Sequence, residues 1–102
     1  MAKFVYLYTG GQQPETPEAQ EQNMKDWGSW LGGLGESVAD MGNPFGASAS
    51  VSASGAGGQS GLGVGGYTIV NFDSLADATA KAAGCPVFQG GGSVEIYEAV
   101  PM

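Results

Sequence analysis

Residues 65–86, GGYTIVNFDSLADATAKAAGCP, decide the fold. The run GYTIVNF (66–72) is β-branched and aromatic without a breaker, which predicts a strand, and Asp73-Ser74 punctuates it. Ser74 with Asp77 has the form of a capping box, so a helix follows over LADATAKAAG, with a small inner face of Leu75, Ala78, Thr79 and Ala82 suited to close packing on a sheet. Gly84 and Pro86 end that helix. A strand that runs into a short, small-faced helix is half of a layered α+β domain, and the remaining elements are sought on either side.

Upstream, KFVYLYT (3–9) is a second breaker-free strand, closed by Gly10-Gly11. Thr16-Pro17 supplies an N-cap and a first-turn proline, and Glu18 and Glu21 favour the positive end of a helix dipole. From Met24 the apolar residues Met24, Trp27, Trp30, Leu31, Leu34, Val38 and Met41 fall three and four apart, which predicts one amphipathic helix running to the Gly42-Asn43-Pro44 stop. Glycines at 28, 32, 33 and 35 each cost such a helix about 1 kcal/mol relative to alanine. Gly28, Gly32 and Gly35 lie beside the stripe, a flat flank that implies close packing on the sheet or, alternatively, a glycine face for a partner helix. In FGASASVS (45–52) apolar and small polar residues alternate, the pattern of a strand. Residues 54–66 are glycine- and serine-rich and read as a flexible hairpin connection within a single domain, 1–102. SVEIYEA (93–99) is the last strand. The order β-α-β-β-α-β predicts a ferredoxin-like α+β fold, a four-stranded antiparallel sheet with two helices on one face.

Strict alternation along these strands sends Val5, Leu7, Ala47, Ala49, Val51, Thr68, Val70, Phe72, Val94 and Ile96 toward the helices. It leaves Phe4, Tyr6, Tyr8, Tyr67, Ile69, Glu95 and Tyr97 on the other face, which is aromatic where a solvated face would be polar. The simplest cover is a second copy of the same sheet, making a homodimer whose sheets enclose a partly polar cavity.

Composition removes several function classes. The 102 residues hold three lysines, no arginine, no histidine and ten carboxylates, a formal charge of −7, so phosphate backbones are repelled and nucleic acid is not an expected partner. Without histidine there is no imidazole base and no His-supported triad, and the scattered carboxylates have no Ca²⁺-loop spacing, so neither a metal nor a cofactor is expected. No stretch approaches the roughly 18 apolar residues of a membrane span, and MAKFVYLYT lacks a signal-peptide plan. With a lone Cys85 the expected compartment is the cytoplasm. Cys85, between glycine and proline and near the negative end of a helix, reads as a small buried residue.

Glu95 is the candidate catalytic residue: a strand carboxylate among tyrosines, raised by desolvation, is a possible general base, while a pairing with Lys3 or a place at the rim is its plain structural role. Tyr6, Tyr8, Tyr67 and Tyr97 suit either a pocket for an apolar or aromatic molecule or dimer packing. Asn71 suits a ligand carbonyl or a turn hydrogen bond. Trp27 and Trp30 have core spacing.

The stretches KFVYLYTG, GGYTIVNFDSLADATAKAAGCP and GGSVEIYEAV together resemble the YCII-related family of small bacterial proteins over nearly the whole chain. The resemblance implies a dimeric α/β-barrel fold and, in some members, lyase-type or dehydrochlorinase-like chemistry. Members with a proposed active site carry a histidine early in the first helix, where this chain reads Trp27-Gly28-Ser29-Trp30, and often an aspartate-containing tetrapeptide before the third strand. Neither residue is present here, so neither role carries over. The resulting expectation is a small homodimeric binding protein; the alternatives are a cofactor-free lyase or oxygenase using Glu95 or a tyrosine, and a structural accessory subunit.

Overall fold

The strands expected at the two ends of the chain are neighbours in space. In a computed structural model, which describes residues 1–102, the elements run β1 (Ala2–Thr9), α1 (Pro17–Leu34), β2 (Val38–Asp40), β3 (Ser50–Ser52), β4 (Gly55–Gly58), β5 (Val64–Phe72), α2 (Leu75–Ala82) and β6 (Ser93–Ala99). Two 3-10 turns, Gly35–Ser37 and Pro86–Gly90, precede β2 and β6. The main sheet is antiparallel in the order β2-β5-β1-β6, the ferredoxin-like arrangement, with both helices on one face.

Both helix starts form by the expected chemistry. Thr16 accepts a hydrogen bond from the Ala19 amide at 3.1 Å, and Ser74 accepts one from the Asp77 amide at 3.1 Å, each satisfying an amide that has no partner inside its helix. The end of α1 differs from expectation. The helix stops at Leu34, because Gly35 turns the chain with φ +56°, and Val38, expected on the helical stripe, instead pairs with Val70 in the sheet. Met24, although inside the helix, is 74% exposed, and Met41, beyond it, is largely exposed. Nothing lies within 4 Å of a side chain built at Gly28, Gly32, Gly33 or Gly35, so the flat flank is not a close-packing surface. In α2, Ala78 and Ala82 are buried, while Leu75 is half exposed and the exposed Thr79 returns its hydroxyl to the Leu75 carbonyl.

The period-two stretch 45–52 is not a sheet strand. Residues 45–49 have no regular structure, and Ser50–Ser52 pairs only with Gly55–Gly58 in a separate two-stranded hairpin. With only glycine and alanine on its partner strand, the hairpin has almost no apolar face to bury, and Val51 is 80% exposed.

The faces of β1 are the reverse of those read from alternation. Cross-strand partners share a face, and the register joins Phe4 to Val70, Tyr6 to both Thr68 and Ile96, and Tyr8 to Val94. Phe4, Tyr6, Val70, Phe72, Leu34, Ala78 and Ala82 therefore form the core beneath the helices, with Tyr8, Trp30, Leu31, Val38, Val94 and Ile96 around it. Val5, Leu7, Tyr67, Ile69, Asn71, Glu95 and Tyr97 make up the opposite face. β1 is apolar on both sides, so its own sequence does not say which side is in; only pairing does.

The molecule is flat, 43 × 42 × 18 Å. Its accessible surface of 6873 Å² exceeds by about 1,500 Å² the roughly 5,400 Å² expected of a folded monomer of this mass. The open sheet face and the hairpin both contribute to this excess.

Candidate functional site

Four turns meet at one end of the helix-covered face and leave a cleft between them. β1 ends at Gly10 and Gly11, both with positive φ, and the following Gln12 amide donates to the Gly90 carbonyl at 2.9 Å, tying this turn to the 3-10 turn before β6. Residues 42–45 cross the start of β5: the Tyr67 amide donates to the Asn43 carbonyl and the Phe45 amide to the Gly65 carbonyl. Gly66 permits this crossing, since a side chain there would stand 3.1 Å from the Asn43 oxygen and 3.3 Å from Pro44. Helix α1 supplies the remaining wall through Asn23, Trp27 and Leu31.

The resulting cleft has a volume of about 430 Å³, within the usual range for small-molecule sites. None of its 20 lining residues is charged. Tyr8, Trp27, Leu31, Met41, Tyr67 and Val87 are its apolar surfaces, Gln12, Gln13, Asn23 and Asn43 its amides, and glycines and prolines much of the rest. A groove of similar volume lies behind Gln12–Pro14, but its lining includes Glu15 and no aromatic residue, so it lacks the wall that would hold a ring.

The aromatic wall is ordered by edge and face contacts. Tyr8 and Trp27 meet edge-on with ring centres 4.9 Å apart, Trp27 and Trp30 at 5.8 Å, and Trp30 stacks on Tyr6 at 5.9 Å while its indole N–H donates to the Lys81 carbonyl at 3.0 Å. Tyr8 Oη donates to Thr68 Oγ1 at 2.6 Å, and Thr68 Oγ1 donates to the Met41 carbonyl at 2.9 Å. Burial pushes the Tyr8 phenol well above its ordinary range, and pushes Tyr6 up to about 12 and the nearby Cys85 thiol up to about 11. All three are proton-bearing at neutral pH. The cleft thus offers ring contacts and neutral hydrogen-bonding groups, and no carboxylate, thiol or imidazole in its lining. No group of three metal-ligating side chains occurs in the molecule.

The six residues singled out from sequence fall on two sides of the sheet. Tyr8 lines the cleft. Tyr6 lies one turn of the pleat deeper, fully buried, with its hydroxyl donating to the Ala78 carbonyl. Asn71, Glu95 and Tyr97 lie on the open face, with Glu95 exposed and opposite Leu7. Tyr67 borders the cleft from the open side, its ring stacked on Phe45 and its hydroxyl donating to Asp40 Oδ2 at 3.3 Å. Trp27, Thr68, Asn43 and Gln12 are cleft residues that sequence reasoning did not select. The available signal was that Gly10-Gly11, Gly42, Gly65-Gly66 and Gly90 all flank strand ends that an antiparallel sheet brings to one edge.

No protein-family profile matches the chain, and no curated protein matches its sequence. Among solved structures, the fold is similar to that of 5-chloro-2-hydroxyhydroquinone dehydrochlorinase (TftG) from Burkholderia phenoliruptrix AC1100, in its complex with 2,5-dihydroxybenzoquinone. The TM-score is 0.58 at 14% identity, over 97% of this chain and 95% of the other. The likeness establishes a shared fold. No helix of the molecule is long and apolar enough to cross a membrane.

Proposed function

We propose that this chain is a single-domain binding protein of the YCII-related kind that holds a small, uncharged aromatic molecule in the cleft between its sheet and first helix. The observation that carries the reading is the pairing of an aromatic wall, Tyr8 and Trp27, with a lining free of charged side chains. An uncharged ring buries apolar surface there without leaving an unpaired charge. A fold-sharing protein whose structure contains the small ring compound 2,5-dihydroxybenzoquinone supports the same class of ligand. The working form is a cytoplasmic homodimer joined through the open sheet faces. The surface excess of about 1,500 Å² per chain covers the roughly 800 Å² per partner of a typical stable interface. A panel of neutral aromatic metabolites, screened by thermal shift, tests the reading: a bound ring raises the melting temperature with the logarithm of its concentration over Kd, and Trp27→Ala abolishes the rise. No stabilising compound in such a panel contradicts it.

The second reading, a cofactor-free enzyme, is favoured by one observation, the dehydrochlorinase activity in the name of the fold-sharing protein. Its acid or base here is Tyr8 in the cleft or Glu95 on the open face, where a partner sheet would desolvate it. Loss of turnover in Glu95→Gln, with the melting temperature kept, supports this version; unchanged turnover of every candidate substrate removes Glu95 from it.

A further inference from the structure

The hydrogen bonds along one wall of the cleft can run in only one direction. The Met41 carbonyl oxygen carries no proton, so Thr68 Oγ1, 2.9 Å away, must donate to it. A hydroxyl has one proton, so Thr68 has only lone pairs left for Tyr8 Oη at 2.6 Å, and Tyr8 must donate in turn. Thr68 is 1% exposed, so bulk water does not relieve this order. The Tyr8 proton is thereby committed, and a lone pair is what its oxygen still offers.

We propose, resting on the reading of the cleft as a ring-binding site, that it selects neutral ring compounds bearing an N–H or O–H donor, which is received by Tyr8 Oη. Thr68 is the positioning residue that makes Tyr8 an acceptor. Neutrality follows from the lining: no lysine reaches the cleft and the chain contains no arginine or histidine, so an anionic ligand would find no counter-charge in a molecule of net charge −7. At Tyr8 Oη, a ring with an acceptor alone would set lone pair against lone pair. In a desolvated site such a mismatch costs roughly tenfold or more in affinity.

The test is calorimetric titration of the full chain near neutral pH with two planar bicycles of similar size, indole as a donor and quinoline as an acceptor. The expected result is indole binding roughly tenfold more tightly than quinoline. In Tyr8→Phe the ratio falls toward one. In Thr68→Val, close in shape, the Tyr8 proton loses its acceptor and turns to the cleft, so preference moves toward quinoline; a merely structural role for Thr68 would weaken both probes alike. Equal affinities in the unmodified protein, or an undiminished indole preference in Tyr8→Phe, overturn the donor rule and leave the ring site standing. Failure of both probes to bind the folded protein overturns the donor rule and the ring site together. Should Thr68→Val not fold, the ratio in Tyr8→Phe alone decides.

Discussion

The two faces of the four-stranded sheet are made by the same strands and differ in what covers them. On one, Phe4, Tyr6, Thr68 and Val70 lie under α1 and α2 at 1% exposure or less, and their polar atoms are paired within the chain. On the other, Val5, Leu7, Ile69 and Tyr97 form a partly exposed apolar surface on the side away from both helices. The closed face spends its aromatic residues on a core and, at its open end, on a cleft. The open face has the chemistry of an interface. On the proposed reading, ligand and partner address opposite sides of one thin layer.

The largest expected effect separates the faces by stability. Phe4→Ala leaves a cavity in the closed face and is expected to cost about 3 to 5 kcal/mol in chemical denaturation. An equally large loss in Val5→Ala would mean that the faces do not differ. Next is assembly. Ile69→Asp puts a charge in the middle of the open face and is expected to convert a homodimer into a folded monomer in sedimentation at micromolar concentration, with the cleft's ring affinity retained. A monomer before substitution contradicts the interface.

Alkaline pH is expected to act through the closed face. Tyr6 and Cys85 bind their protons more tightly folded than unfolded, so above the ordinary thiol value of 9.0 the unfolded chain loses protons first and stability falls with rising pH. The loss should begin near pH 9.0 and continue through about 11 to 12, where the folded groups ionise. In Cys85→Ala the onset moves upward. The smallest effect concerns the cover itself: Ser74→Ala removes the cap of α2 and is expected to cost about 1 kcal/mol.

Much of this organisation was legible in sequence because local chemistry decided it. Breaker-free strands at Lys3–Thr9 and Ser93–Ala99, and the capped starts at Thr16 and Ser74, need no tertiary information. Three features did. The stripe from Met24 to Met41 continues smoothly past Gly35, and only the turn at that glycine sends Val38 into the sheet. The alternation in FGASASVS is that of a strand, but with serines and alanines it buries too little to hold a place beside β5. β1 is apolar on both sides, so the placement of Tyr6 and Tyr8 depended on register with Thr68 and Val94. The cleft was illegible for a related reason: its walls come from four separate turns and helix α1, and the crossing of residues 42–45 over Gly66 is set by packing rather than by any motif.

The division between ligand side and partner side is tested most directly by amide chemical-shift mapping of the isotopically labelled protein during titration with indole. The account predicts shifts concentrated at Gly10–Gln13, Trp27, Asn43 and Gly65–Thr68. Shifts concentrated instead at Val5, Ile69, Glu95 and Tyr97 would place the ligand on the open face and contradict it.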